Sequence, residues 1–116
     1  MGFVGSINIE AIFKTVKLNE WATLIISRML VRKGLTTIAG TNQSLGLAPS
    51  LQDLLAICRE KGVLPADLDR DLERLRNVTY FAEWWQGRVP TRDEWKWALD
   101  NCRRVVQALF DLQPVV

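Results

Sequence analysis

Residues 19–40, "NEWATLIISRMLVRKGLTTIAG", decide the fold class. Asn19 suits an N-cap, and Glu20 sits where the positive end of a helix favours a carboxylate. Gly40 is a stop signal of the left-handed kind. The stretch predicts a helix over Glu20–Ile38, with Gly34 tolerated inside it at a cost of about 1 kcal/mol. Its apolar residues, Trp21, Leu24, Ile25, Ile26, Met29, Leu30 and Val31, nearly encircle it. A helix apolar on every side is one buried between others. Arg28, Arg32 and Lys33 interrupt that ring along one edge. They are expected on a solvent edge, with contact to nucleic-acid phosphate as the functional alternative.

Outward from this helix, the remaining segments read as helices too. "INIEAIFKTVKL" (7–18) carries Ile9, Ile12, Phe13 and Val16 at helical spacing. Residues 41–49 have loop composition. Ser50 then opens "SLQDLLAICREKG", with Asp53 completing a capping box, Leu51, Leu54, Leu55 and Cys58 as the core face, and Gly62 as the stop. From Pro65 the face Leu68, Leu72, Leu75, Val78, Ala82, Trp85 keeps 3–4 spacing, which predicts a helix to about Trp85, broken by Gly87 and Pro90. Thr91 and Glu94 form a second capping box for a last helix over Arg92–Leu112, whose stripe is Trp95, Ala98, Leu99, Cys102, Val105, Val106 and Leu109. The fold expected is all-α: an antiparallel four- to five-helix bundle in one domain over 1–116, with a short arm at 1–6 and a tail at 113–116.

Composition narrows the chemistry. The 116 residues contain no histidine, which removes every mechanism needing imidazole as base or ligand. Cys58 and Cys102 match no metal spacing and are expected to be reduced and buried in a cytoplasmic protein. No stretch reaches the ~18 apolar residues of a membrane span, so no membrane association is expected. No metal, cofactor or catalytic residue is expected either. Net charge is only +2, but residues 1–40 hold five cations against Glu10 and Glu20, a local excess of +3. Between Asp67 and Arg76, carboxylates alternate with arginines, which predicts a solvated, salt-bridged face.

"LRNVTYFAEWWQGRVPTRDEW" (75–95) carries an aromatic surplus. Leu75, Val78, Ala82 and Trp85 are assigned to the core stripe. Tyr80, Phe81 and Trp84 then fall on other faces, with Asn77 one turn before Phe81, and Trp97 lies off the stripe of its own helix. A monomer has little use for such area, so these residues are expected at a homodimer or partner interface. Packing on the N-terminal helix and stacking on bases are the alternatives.

The order of these pieces resembles the HEPN superfamily over residues 20–112. The resemblance runs through "MLVRKGLTTIAG", "SLQDLLAICREKG", "LDRDLERLRNVTYFAEWWQGRVP" and "DEWKWALDNCRRVVQALFDL". Arg88-Val89-Pro90 is similar to the Arg-Tyr-Pro element of members that accompany minimal nucleotidyltransferases. RNase members place a His after an Arg with four to six residues between them; here Phe81, Ala82 and Glu83 occupy those positions after Arg76. The first helix is also shorter than is usual in the family. The resemblance therefore implies a non-catalytic member that dimerises and binds a minimal nucleotidyltransferase, and nucleotide or RNA between protomers. Arg76 and Arg88 would meet phosphate, and Tyr80 or Trp84 would stack or seal the dimer. The alternative is a small helical RNA-binding subunit of a ribonucleoprotein such as a CRISPR effector, using Arg28, Arg32 and Lys33.

Overall fold

The computed structural model describes residues 8–16, 19–40, 50–80 and 89–112. They form five helices: α1 (Ile9–Val16), α2 (Glu20–Ala39), α3 (Leu51–Lys61), α4 (Ala66–Val78) and α5 (Arg92–Phe110). No strand occurs among the described residues. The all-α bundle expected from the sequence is thus the architecture observed. None of these helices is long and apolar enough to cross a membrane.

Helix ends fall where the local chemistry puts them. Asn19 accepts from the Ala22 amide, and Ser50–Asp53 and Thr91–Glu94 make both arms of their capping boxes. Gly40 and Gly62 adopt left-handed φ of 62° and 66°, which closes α2 and α3 at no Cβ cost. The Lys61 ammonium adds a donor to the Ala39 carbonyl, tying the end of α3 to the end of α2.

Helix α2 is the hub and packs on all four others, while α5 also lies against α1 and α4. The core joins Leu24, Val31 and Leu35 of α2 to Leu54 and Leu55 of α3, Leu72 and Leu75 of α4, and Val105, Val106 and Leu109 of α5. Ile9 and Phe13 of α1 complete it. The stripes assigned to α3 and to α4 as far as Val78 are buried throughout. Within the alternating run Arg70 reaches Asp67 at 3.1 Å and Arg76 reaches Glu73 at 2.7 Å, while Arg59 of α3 and Arg104 of α5 pair across to Asp69 and Asp71.

The helices depart from expectation in burial and in length. First, α2 is not buried on every side: Trp21, Ile25 and Met29 stand 58%, 38% and 61% exposed. Its inner face is built from small and polar residues, Thr23, Ser27 and Gly34, set between Leu24, Val31 and Leu35. The hydroxyls are satisfied within the helix, Ser27 donating to the Thr23 carbonyl at 2.6 Å and Thr23 to the Asn19 carbonyl at 2.8 Å. Gly34 sits so near α5 that a Cβ there would lie 2.7 Å from Leu109 Cδ2. Close approach of α5 therefore selects glycine at position 34, while Leu24, Val31 and Leu35 fill the rest of the buried face.

Second, α4 ends at Val78, with Thr79 as its C-cap, short of the Trp85 expected. The Thr79 hydroxyl donates back to the Leu75 carbonyl at 2.7 Å, and Arg28 takes the Arg76 carbonyl at 2.9 Å. These side chains satisfy carbonyls that the helix end leaves open. Ala82 and Trp85, expected on the core stripe, lie outside the described residues, as do the N-terminal arm and the tail. The last helix likewise ends two residues before the expected Leu112, at Phe110, with Asp111 as its cap.

Candidate interaction surface on α2 and the end of α4

The end of α4 is fixed by a residue 48 positions earlier in the chain. Arg28 is only 4% exposed. Its Nη1 donates to the Arg76 carbonyl and, at 3.1 Å, to Thr79 Oγ1. A cation at this end of a helix complements the partial negative charge of the last carbonyls. Its guanidinium carbon lies 5.7 Å from the centre of the Tyr80 ring, so the ring lids the buried charge. Arg28 was expected on a solvent or phosphate-facing edge; burial corrects that placement. Of that edge, Lys33 is exposed and Arg32 half-buried.

Three of the residues singled out in the aromatic segment do come together. Arg76, Asn77 and Tyr80 line a cleft of about 470 Å³ with Gln52 of α3. Tyr80 is 37% exposed there. Arg76 is not free to meet an anion at its full charge. Its Nη2 and Nε donate to the Glu73 carboxylate at 2.7 and 3.2 Å, a fork-to-carboxylate pair. Phe81, Trp84 and Arg88 lie outside the described residues. Trp97 is elsewhere, half-buried on the core, with the Arg74 guanidinium 4.1 Å above its ring. That stacking covers a ring expected at an interface.

The hydrogen bond from Arg76 holds the Glu73 carboxyl below its ordinary value, with burial opposing it and the Arg59 charge assisting. A carboxyl lowered on folding stabilises the fold above its ordinary value, and that stabilisation is lost as pH falls through the lowered one. Glu73→Gln should therefore flatten the acid side of the stability–pH curve below about pH 4.5 and leave the curve above pH 8 parallel to wild type. Urea midpoints measured across that range give the comparison. The carboxylate is partly solvated, so the effect is a fraction of that for a buried pair.

What the sequence reading missed is the outer face of α2. Trp21, Ile25 and Met29 follow one another at four-residue intervals, so they form a slightly drifting stripe about 12 Å long. Trp21 stacks edge-on against Trp95 of α5, with ring centres 5.4 Å apart at 67°. The Trp95 indole donates to Glu20 at 2.9 Å, which sets the pair in place. Lys33 continues the stripe at the next four-residue step. The available signal was Ser27 and Gly34, small residues on the side opposite the stripe.

The arrangement offers little acid–base chemistry. Burial pushes both the Cys58 and Cys102 thiols up, which keeps them protonated and poorly nucleophilic. Among the described residues no group of His, Cys, Asp and Glu is placed to hold a metal ion. What is present is contact surface: an indole, a branched aliphatic chain, a thioether and a phenol, bordered by two cations. No protein family, curated protein or solved structure matches this chain.

Proposed function

We propose that this chain is a non-catalytic, HEPN-like helical subunit that works by association. It forms a homodimer and, as a dimer, binds a minimal nucleotidyltransferase. The observation that carries the association reading is the stripe Trp21, Ile25 and Met29, which α2 turns to solvent while Leu24, Val31 and Leu35 fill its buried face. Apolar area of that kind on a hub helix raises the free energy of the isolated chain unless a partner covers it. Indole and thioether groups suit such contacts. The cleft at Gln52, Arg76, Asn77 and Tyr80 is the place for a nucleotide or RNA segment, its base against the Tyr80 ring.

An RNA-binding role within a ribonucleoprotein is the competing reading. It rests on Arg32 and Lys33, since Arg28 is consumed by the fold. Tagged wild-type protein and Met29→Glu, used as baits in lysate of the source organism with and without nuclease, separate the two. The proposal expects a nucleotidyltransferase that survives nuclease on the wild-type bait and is lost from Met29→Glu. Recovery of RNA-binding proteins alone, all released by nuclease, would transfer the assignment to the ribonucleoprotein.

A further inference from the structure

A second cleft, of about 510 Å³, opens between α1, the start of α2 and α5, away from the end of α4. Its floor is apolar: Phe13 and Cys102 are buried there and Leu99 is half-buried. The polar atoms of that floor are spent within the fold. The Thr23 hydroxyl is shared between the Val16 and Asn19 carbonyls at 3.0 and 2.8 Å, and the Cys102 thiol donates to the Leu99 carbonyl at 3.8 Å. Such a floor suits a hydrocarbon body, and the volume lies within the few hundred Å³ usual for small-molecule sites.

The rim carries both signs of charge, and they do not close on each other. Glu10 and Lys14 stand four residues apart on α1, a spacing that favours an ion pair along a helix. Glu10 instead takes Arg103 of α5, at 3.0 Å. Lys14 is left without a carboxylate at ion-pair distance among the described residues. Glu20, across the cleft, accepts from the neutral Trp95 indole at 2.9 Å and pairs with no described cation. One cation and one anion therefore border the same apolar floor. We infer that this cleft binds an apolar α-amino acid, with its ammonium on Glu20, its carboxylate on Lys14 and its side chain on Phe13 and Leu99.

Charge selects the head group. A simple carboxylate would find Lys14 but set its charge near Glu20, and a simple amine would find Glu20 but meet Lys14. A zwitterion is matched at both ends. The charged contacts lie at a solvated rim, so the dissociation constant should be of the order of 1 mM. This site is separate from the outer face of α2 and from the cleft at Tyr80, and it stands whether or not the chain self-associates.

Titration calorimetry with L-phenylalanine, phenylacetate and phenethylamine tests it, since the three share a body and differ in head group. Phenylalanine should bind about tenfold or more tighter than either of the others, as each of them lacks one charge-assisted contact. It should also change the intrinsic tryptophan fluorescence, because Trp95 is bonded to Glu20. Lys14 and Glu20 are exposed, so substituting them should leave the fold intact. Lys14→Gln should weaken phenylalanine and phenylacetate about tenfold and leave phenethylamine no weaker. Glu20→Gln should weaken phenylalanine and phenethylamine and leave phenylacetate no weaker. Equal affinity for the three ligands overturns the inference, as does a phenylalanine affinity that neither substitution lowers. Absence of binding up to about 10 mM phenylalanine, ten times the expected constant, overturns it as well.

Discussion

Arg28→Ala should lower the stability of the fold by about 2–4 kcal/mol, measured as a shift in urea midpoint at unchanged slope. The substitution removes two charge-assisted donors, leaving the Arg76 carbonyl without the guanidinium and Thr79 Oγ1 without the group it accepts from. It also withdraws a cation from the end of α4, worth about 0.3–2 kcal/mol by itself, and leaves a void beneath Tyr80. Set against this is relief of the cost of desolvating a guanidinium, which keeps the loss from reaching the sum of its parts. Arg28→Lys should lie between wild type and Arg28→Ala, since its ammonium keeps the charge on a shorter side chain but lacks the planar guanidinium beside the Tyr80 ring. Lys33→Ala, on the exposed side of the same helix, should stay within about 0.5 kcal/mol. Equal, small effects at both positions would return Arg28 to a solvent edge.

At Gly34 the loss should come from added volume. Alanine gains about 1 kcal/mol of helix propensity over glycine, but its Cβ would lie 2.7 Å from Leu109 Cδ2 and 2.9 Å from Cγ. Leu109 is fully buried and has little room to yield. Overpacking of this kind costs about 1–3 kcal/mol, so Gly34→Ala should be net destabilising and Gly34→Val more so, as its branches enter the same contact. A double-mutant cycle isolates the cause. Leu109→Ala alone should cost about 2–5 kcal/mol through its cavity. Combined with Gly34→Ala, the total should fall short of the sum by about 1 kcal/mol or more, because the new methyl occupies part of the vacated space. Strict additivity would mean that α2 and α5 do not meet at this point.

Much of the bundle was legible because its punctuation is local. Asn19, Ser50 with Asp53, and Thr91 with Glu94 bond backbone amides within a few residues, so sequence spacing states the geometry. Gly40 and Gly62 read as stops for the same reason. The stripes of α3 and α5 follow helical periodicity, and burial obeys it. The misreadings have non-local causes. α4 was extended because the 3–4 pattern runs on from Val78 through Ala82 to Trp85, whereas Thr79 and the distant Arg28 satisfy the carbonyls at its end. The ring of apolar residues on α2 predicts burial on every side, but which face α5 approaches is not written in the sequence of α2 itself. The contact of Gly34 with Leu109 settles that question, and it joins positions far apart in sequence. Of the candidate site, Arg76 and Asn77 stand out by the family resemblance and Tyr80 by the aromatic surplus, whereas the cleft that joins them to Gln52 of α3 is a tertiary feature that no local spacing states. The pairing of Arg76 with Glu73, three residues before it, follows from helical spacing within the charged face.

If a second copy covers the outer face of α2, the chain must self-associate through it, and sedimentation velocity of the wild type and of Ile25→Glu, over a concentration series from micromolar to a few hundred micromolar, reads this. Ile25 is exposed and lies outside the core, so the variant should keep its fold, checked by an unchanged far-ultraviolet spectrum and urea midpoint. The wild-type sedimentation coefficient should rise with concentration from monomer to dimer, and the Ile25→Glu variant should stay monomeric throughout. A wild-type chain that remains monomeric across the series, or a dimer that Ile25→Glu leaves intact, would contradict it.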